Sequence, residues 1–311
     1  MTTPHTNAPG SVQPLVPGVF AWVQPDGSWW INNSGFIVRD DHVVLVDTCA
    51  SEQRTRALLA AIEQTAPGKP IRYAVNTHQH GDHTHGNCLL PASTVIVSHE
   101  ATRDGILNDH VIDGCPPIWQ PVPDWGTVTR RLPDLTTTTA LILHDDSHRI
   151  ELRHVGHAAH TAGDLIAHLP TQRVLFAGDL LFHHITPLVF MGSLDGALRS
   201  LDWIASFEPE HVVPGHGPVI DASALPAVLD QHRAYYRLVL ETARAGLREG
   251  RTPLQAARAC DLGAFTHLPD AERIALNLHR AYADLTGKRM DLEAAFADAV
   301  AYNNGPLPSK V

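Results

Sequence analysis

The sequence predicts an α/β protein, an αββα sandwich of two sheets between helices, with a C-terminal helical extension. In the first third of the chain, short apolar runs typical of strands alternate with single helical segments, as in layered α/β folds. Further along, several apolar strands end in a histidine or an aspartate beside glycine. After Pro218 the apolar residues recur only at helical spacing, which indicates helices.

The elements divide the chain into three parts. Residues 1–14 are polar and proline-rich, and we expect a disordered leader there. Residues 15–220 predict the main domain and residues 221–311 the helical extension, packed on the core. Within the main domain, apolar runs separated by turn residues predict strands at 19–23, 35–38, 43–46, 71–75 and 94–97, with a helix over 51–64.

Two regions allow more than one interpretation. The span 104–134 contains several prolines and two tryptophans, and it is either a functional insertion near the site or a surface flap. The extension has helix caps at Thr252, before Pro253, and at Asp291. Its helices would cover an apolar edge, form a dimer interface or shape a substrate pocket.

Composition excludes several classes of protein. Hydrophobic residues make up 44% and charged residues 18% of the chain, which is typical of a soluble globular protein. The net charge of −10 and the absence of Lys/Arg runs argue against nucleic-acid binding. The four cysteines are far apart, as free thiols in a reducing compartment would be. No signal-peptide pattern and no membrane-length apolar stretch is visible, so we expect a cytoplasmic protein without a membrane partner.

The motif His78-Gln79-His80-Gly81-Asp82-His83 is the strongest functional signal. It follows the apolar run 71–75, so it begins where a strand ends. Imidazole and carboxylate are the usual ligands of zinc and similar divalent metals. Alternate residues of an extended segment point the same way, so His78 and His80 would share one metal. Asp82 and His83 are placed to reach a second metal beside it.

Three later segments each deliver a ligand-type side chain beside glycine. These are a loop before an apolar strand, a buried-type strand and a short strand, and they carry His160, Asp179 and His216 respectively. Glycine lets the backbone turn sharply and approach a ligand closely. Such repeated placement predicts one shared metal site.

These motifs, in this order, resemble the metallo-β-lactamase fold superfamily of metal-dependent hydrolases over roughly residues 15–220. The resemblance implies a binuclear metal centre. Its first metal would be held by His78, His80 and His160, its second by Asp82, His83 and His216, with Asp179 bridging them. It also implies that Asp47, at the end of the run 43–46, orients the loop 78–83, which we call the ligand loop; an ordinary helix-capping role is compatible with this.

The chain has 21 histidines, and most lie outside this pattern. His157 competes with His160, but only His160 matches the family's His-Thr-x-Gly pattern. His85 is interpreted as a neighbour of the ligands or as polar surface, and His183 and His184 as candidates for the mouth of the pocket. The remaining scattered histidines are predicted to be ordinary surface or strand residues: His99, His110, His144, His148, His154 and His168.

The predicted chemistry is hydrolysis by a metal-bound hydroxide. Two bridged divalent metals lower the pKa of a shared water toward neutrality, and Asp82 and Asp179, the predicted catalytic residues, would position it. True β-lactamases of this superfamily lack a carboxylate bridge such as Asp179, which argues against antibiotic hydrolysis. The superfamily's nucleases carry an added domain or a basic arm that is missing here. A thioester suits the site because a thiolate leaves without a strong general acid.

The C-terminal part is similar to the actinomycete cyclase-thioesterases of aromatic polyketide biosynthesis. The similarity rests on five segments: 186–193, 252–258, 261–265, 277–282 and 301–305. It implies a partly cyclised poly-β-ketone on an acyl carrier protein, which the site would cyclise by aldol closure and release by thioester hydrolysis. Aromatic residues are candidates for lining the pocket, with core packing as the alternative: Trp29, Trp30, Trp119 and Phe190.

Three other functions stay open on the sequence. A general thioester or lactone hydrolase would use the same site with a different pocket. An iron-dependent persulfide-type oxygenase would use a subset of the ligands, and a binding protein would use the fold as a scaffold. The expected cofactors are two divalent ions, zinc first, with manganese or iron tolerated. The expected partner is a small-molecule or carrier-protein-bound acyl substrate, and a homodimer is allowed.

Overall fold

The computed structural model describes residues 10–144 and 149–311. The predicted leader lies mostly outside these residues, but its disorder is wrong for residues 11–14. They form part of strand β1 (Ser11–Val16), which pairs with strand β2 (Val19–Val23). The register shifts between Pro14 and Val16, as expected for proline, which cannot donate to a strand ladder.

Two large sheets form the centre of the fold, and a two-stranded sheet is added to them. The first, in spatial order, comprises β1, β2, β3 (Ser34–Val38), β4 (Val43–Val46), β5 (Ile71–Val75), β6 (Val95–His99) and β8 (Leu135–Thr137). The second comprises β14 (Ile220–Asp221), β13 (His211–His216), β12 (Val174–Phe182), β11 (Leu165–Leu169), β10 (Arg149–His154) and β9 (Ala140–His144). The small sheet pairs β7 (Trp119–Gln120) with β15 (Leu307–Pro308).

The described residues contain the helices α1 (Glu52–Thr65), α2 (Gly81–Thr84), α3 (Glu100–Leu107), α4 (Leu194–Ala205), α5 (Leu225–Arg248), α6 (Pro253–Ala259), α7 (Arg273–Thr286) and α8 (Leu292–Tyr302). Of these, α1 packs on the first large sheet, and α4, α5 and α7 pack on the second. The caps predicted at Thr252 and Asp291 each accept a backbone hydrogen bond at the start of α6 and α8.

Three apolar clusters correspond to the layers of the sandwich. Residues of both sheets, such as Val46 and Phe176, meet in the interior between them. Leu58 and Ile62 of α1 pack with strand residues of the first sheet. Tyr235 of α5 lies in the same cluster as Leu181 of β12, together with residues of α4 and α7. The predicted αββα arrangement with C-terminal helices is therefore confirmed, and the extension shares its core with the second sheet. In the described parts of the chain, no helix has the length and apolarity to span a membrane.

His232 connects α5 to the second sheet, and we expect it to make the free energy of unfolding depend on pH. Its Nε2 accepts a hydrogen bond from the Phe182 amide at 3.0 Å, and its Nδ1 donates to the Val228 carbonyl at 2.8 Å. Burial lowers the pKa of His232 to about 4, whereas the pKa of histidine in an unfolded chain is about 6.5. The unfolded state therefore takes up a proton first as the pH falls.

We expect this contribution to be fully present above pH 6.5 and lost as the pH falls toward 4, at a cost of about 3 kcal/mol. Urea unfolding of wild type and His232→Gln at pH 7 and pH 4 measures it. The stability gap between the two proteins should shrink at the lower pH. A gap that stays constant between the two values would contradict the buried neutral state of His232.

Candidate metal centre

The ligand loop follows β5, as predicted, and buried side chains hold it in place by hydrogen bonds. Asn76 and Asn87 exchange side-chain hydrogen bonds of 3.1 and 2.8 Å across the loop. The carboxylate of Asp47 accepts hydrogen bonds from the amide and the hydroxyl of Thr77, both at 2.7 Å. Asp47 also lies 2.8 Å from Nδ1 of His83. These hydrogen bonds hold the loop in place without a bound metal.

Two parallel strands of the second sheet deliver the other carboxylate and histidine. β12 and β13 are parallel neighbours, so their carboxyl ends lie at the same edge, with Asp179 on one and His216 on the other. Gly215 packs directly on Asp179, because a Cβ at position 215 would lie 1.8 Å from Oδ1 of Asp179. The glycine beside the predicted ligand is therefore required by close approach.

The structure brings all seven predicted ligands together in two adjacent groups. One group consists of His78, His80, His160 and Asp179, and the other of Asp82, His83 and His216. Within each group the ligand-type atoms lie within 4.8 Å of one another.

Asp179 connects the two groups. Its Oδ2 lies 3.3 Å from Nε2 of His160 and 3.4 Å from Nε2 of His216, and its Oδ1 lies 3.2 Å from Nε2 of His83. Asp82 reaches only the second group, with Oδ2 3.2 Å from Nε2 of His216. Asp179 therefore lies where a residue that bridges two metals is expected.

Hydrogen bonds on the far side of the rings orient the histidines. Nδ1 of His160 lies 2.8 Å from the Leu188 carbonyl, and Nδ1 of His216 lies 2.9 Å from the carbonyls of Gly27 and Ile31. Each of these rings therefore turns its Nε2 toward the centre. Protein acceptors behind the ring are the usual arrangement for metal-binding histidine.

Electrostatics divides the histidines into two kinds. Burial lowers the pKa of His160 to about 3, so its imidazole is neutral, the form that binds a metal. Burial also opposes charge at His216, but the carboxylates of Asp179 and Asp82 outweigh it and raise its pKa to about 9. The pKa of His83 is raised for the same reason, despite burial. Without metal, protons on these two rings neutralise the carboxylates.

The donor set fits a pair of divalent ions. Nε2 of His83 and Oδ1 of Asp179 are buried and make no hydrogen bond of good geometry, although the two side chains form an ion pair; buried polar atoms are rarely left without such a bond. Both belong to the candidate centre and lie 3.2 Å apart. Imidazole nitrogens and carboxylate oxygens suit zinc, manganese and iron. Cations there would satisfy the unpartnered atoms and replace the protons on the two rings.

On the exposed side of the centre, His80 contacts the first of a row of aromatic rings that continues into the core. His80 is partly exposed, and its ring stacks on Phe190 at 4.9 Å with an interplanar angle of 8°. Phe190 contacts Phe296 of α8, which contacts Trp119, which in turn contacts Trp30. We call these four residues the aromatic patch: Trp30, Trp119, Phe190 and Phe296.

The aromatic residues proposed from the sequence divide between core and surface of the site. Trp29 and Trp119 are buried in the core around the second sheet, whereas Trp30 and Phe190 are only partly buried. The indole nitrogens of Trp30 and Trp119 have no hydrogen-bond partner. Trp30 also has a left-handed backbone, with φ of 66°, which is rare for a bulky residue.

The other candidate histidines contact different partners. His157 lies near the Gly196 carbonyl, 3.1 Å away, and is not in either ligand group. His85 is buried beside the ligand loop, where it pairs with Asp109 at 2.8 Å. His183 and His184 stack on each other at 4.0 Å, and Nδ1 of His183 lies 2.9 Å from the Pro218 carbonyl.

The remaining histidines are placed individually. His99 and His154 lie ring to ring at 4.2 Å, and His168 contacts Phe207 at 4.8 Å. His110 and His144 have no place in the ligand groups, and His148 lies outside the described residues. Residues that the sequence analysis missed include Thr77 and the carbonyls of Gly27, Ile31 and Leu188. Carbonyl roles carry no signal in residue type.

Comparison with known proteins places the chain among relatives that differ in activity. It is 26% identical, over 233 residues, to 2,4-dinitroanisole O-demethylase subunit alpha of Nocardioides sp. (strain JS1661). That alignment covers 70% of this chain and 64% of the relative, so the chain spans less than two thirds of the relative's length.

Solved structures show the same fold at low identity. The metallo-β-lactamase from Pontibacter korlensis is 20% identical with a TM-score of 0.59, over 72% of this chain and 99% of that chain. The sec-alkylsulfatase Pisa1 from Pseudomonas sp. is 16% identical with a TM-score of 0.65, over 92% of this chain and 51% of that chain.

The family is shown by the sequence itself. Residues 27–216, which include all seven candidate ligands, match the Metallo-beta-lactamase superfamily. The finer resemblance to the cyclase-thioesterases stays a prediction. Since the match extends over more than half of the 311-residue chain, the protein belongs to the metallo-β-lactamase superfamily, most of whose members are metal-dependent hydrolases.

Proposed function

We propose that this protein is a binuclear metal-dependent hydrolase. The observation that carries the proposal is the position of Asp179, whose two oxygens lie 3.2–3.4 Å from histidines of both ligand groups. His78, His80 and His160 would hold one ion, and Asp82, His83 and His216 the other. The unpartnered atoms of His83 and Asp179 support occupancy by cations.

The protein's own residues have distinct tasks in this reaction. Two divalent ions would supply Lewis acidity that makes water a nucleophile at neutral pH and polarises the substrate. Asp179 fixes the spacing of the two groups. Asp82 is buried at the second group and accepts a hydrogen bond from His216, so it is placed to orient a nucleophile. His80, being partly exposed, lies on the side from which substrate arrives.

An aromatic substrate is the class that we propose. Phe190 of the aromatic patch stacks on the ligand His80, and a flat ring would find further aromatic surface beside it. The relative from Nocardioides is named for dinitroanisole, an aromatic compound. Among the bonds open to such a site, we propose an acyl thioester. The finest form of this proposal is a thioesterase/cyclase acting on a carrier-protein-bound aromatic polyketide.

A second candidate is cleavage of an aryl ether. Its basis is the same relative, which is called an O-demethylase. The two candidates share the metal centre and the aromatic surface but differ in the bond broken. An aryl methyl ether has a poor leaving group unless its ring is electron-poor, so a nitro-substituted anisole is the appropriate probe.

The test combines metal analysis with a panel of substrates. Purified protein should contain about two zinc or manganese ions per chain and should cleave an aryl or β-ketoacyl thioester. Asp82→Ala should lose at least ~100-fold in kcat/KM, because it removes a ligand and orienting group. Asp195→Ala, in an exposed ion pair with Arg199, is the matched control and should retain activity.

Other outcomes have defined meanings. Cleavage of dinitroanisole but not of thioesters would select the second candidate. Bound iron with consumption of a persulfide and no hydrolysis would overturn the hydrolase. Protein that binds no divalent metal at neutral pH would overturn both candidates.

A further inference from the structure

We propose that helix α7 of the C-terminal extension positions the first group of metal ligands, with Asn277 and Arg273 as its positioning residues. The proposal rests on the metal centre proposed above. This role differs from the three that the sequence suggested for the extension, which were to cover an apolar edge, to form a dimer interface and to shape a substrate pocket. The connection runs through the segment 186–190, which lies between α7 and the centre.

The side of this segment that faces α7 is held by buried hydrogen bonds. Oδ1 of Asn277 accepts from the Val189 amide at 2.7 Å, and Nδ2 of Asn277 donates to the Pro187 carbonyl at 2.9 Å. One turn earlier, Arg273 donates to the Thr186 carbonyl at 3.0 Å. Asn277 and Arg273 are 0% and 1% exposed, so water cannot replace these bonds.

The residues in between contact the ligands. The Leu188 carbonyl lies 2.8 Å from Nδ1 of His160, and Phe190 stacks on His80. Groups at positions 187 and 189 therefore bind Asn277, while groups at 188 and 190 contact the two histidines. Because the peptide units are rigid, releasing one side of the segment changes the position of the other.

Arg273 extends the same support to a third histidine. It pairs with Asp270 at 2.9 Å, and its guanidinium lies over the rings of Trp29 and Phe182, at 4.7 and 5.7 Å. The Phe182 ring stacks on His216 at 5.5 Å with an interplanar angle of 12°. For the second group this is ring packing alone, since Nδ1 of His216 donates to the carbonyls of Gly27 and Ile31.

The contacts predict that α7 affects the two metal positions unequally. Two of the three histidines of the first group depend on the segment 186–190. In the second group, Asp82 and His83 belong to the ligand loop, and His83 is oriented by Asp47. Loosening the segment should weaken the first position and leave the second nearly unchanged.

The experiment is a stepwise zinc titration against a chelating competitor, monitored by metal content, on the full chain. Asn277→Ala should lower the affinity of one of two sites by about 10–100-fold, the usual effect of removing an outer partner, and leave the other unchanged. Tyr235→Phe is the matched control. It removes another hydrogen bond of Asn277, at 3.0 Å, but leaves the segment attached, so both sites should bind as in wild type.

A second variant keeps the proposal testable if Asn277→Ala does not fold. Asn277→Asp retains the acceptor for Val189 but loses the donor to Pro187, and it too should weaken one site selectively. If either folded variant binds two zinc ions with wild-type affinity, or loses both equally, the positioning role is wrong. If wild type itself binds no zinc, the proposed metal centre fails instead.

Discussion

Replacing Asp179 by asparagine is expected to lower kcat/KM by at least ~1,000-fold and to remove at least one metal from the purified protein. The two carboxylate oxygens of Asp179 lie within 3.4 Å of histidines of both groups. Asparagine keeps the shape but removes the negative charge that balances two cations. Loss of several kcal/mol of transition-state stabilisation by metal corresponds to three or more factors of ten in rate.

Metal content per chain and steady-state kinetics on the thioester panel measure this effect. Asp202→Asn is a suitable control, because Asp202 is an exposed carboxylate paired with Arg233. It should behave as wild type in both measurements. Retention of two metals and of activity in the Asp179 variant would refute the binuclear centre.

Replacing Asp47 by alanine is expected to cost both stability and metal affinity. The side chain of Asp47 is buried, and three groups surround it: the amide and hydroxyl of Thr77 and Nδ1 of His83. Without it these groups lose their partner in a site closed to water. Breaking such a buried charge pair typically costs about 3–5 kcal/mol, and an outer partner of a ligand contributes about 10–100-fold in metal affinity.

Asparagine at position 47 separates the two effects. Asp47 has a left-handed backbone, with φ of 59°, which asparagine tolerates well. We expect Asp47→Asn to retain more stability than alanine but still to bind the second metal more weakly, because the charge opposite His83 is gone. Urea unfolding and zinc titration measure both quantities. Equal zinc affinity in all three proteins would show that Asp47 only supports the fold.

The ligands were predictable because their signal is local. The six consecutive residues after the strand 71–75 carry four of the seven. The other three lie close to glycine: Asp179 and His216 on apolar strands, and His160 in a loop before one. What orients them was not predictable. The acceptors behind His160 and His216 are backbone carbonyls, and Asn277 is 88 residues from the amide that it holds. Such partners depend on tertiary packing and leave no pattern in the chain.

The missed strands have a similar cause. β1 is mostly polar or exposed and contains Pro14, so its sequence resembles a leader, and only pairing with β2 makes it a strand. β9 alternates exposed and partly buried residues at the edge of its sheet, where packing contributes little. The insertion at 104–134 indeed has little regular structure, but Asp109 and Trp119 connect it to His85 and the aromatic patch.

Each ligand group takes residues from both halves of the sandwich. The loop after β5 extends from the first sheet, whereas Asp179 and His216 come from β12 and β13 of the second. A metal held there would cross-link segments that are about a hundred residues apart in the chain. Its bonds to the ligands of one sheet would have to break before the sheets could separate. The bound ions should therefore slow unfolding more than refolding, since neither group is complete until both sheets have met.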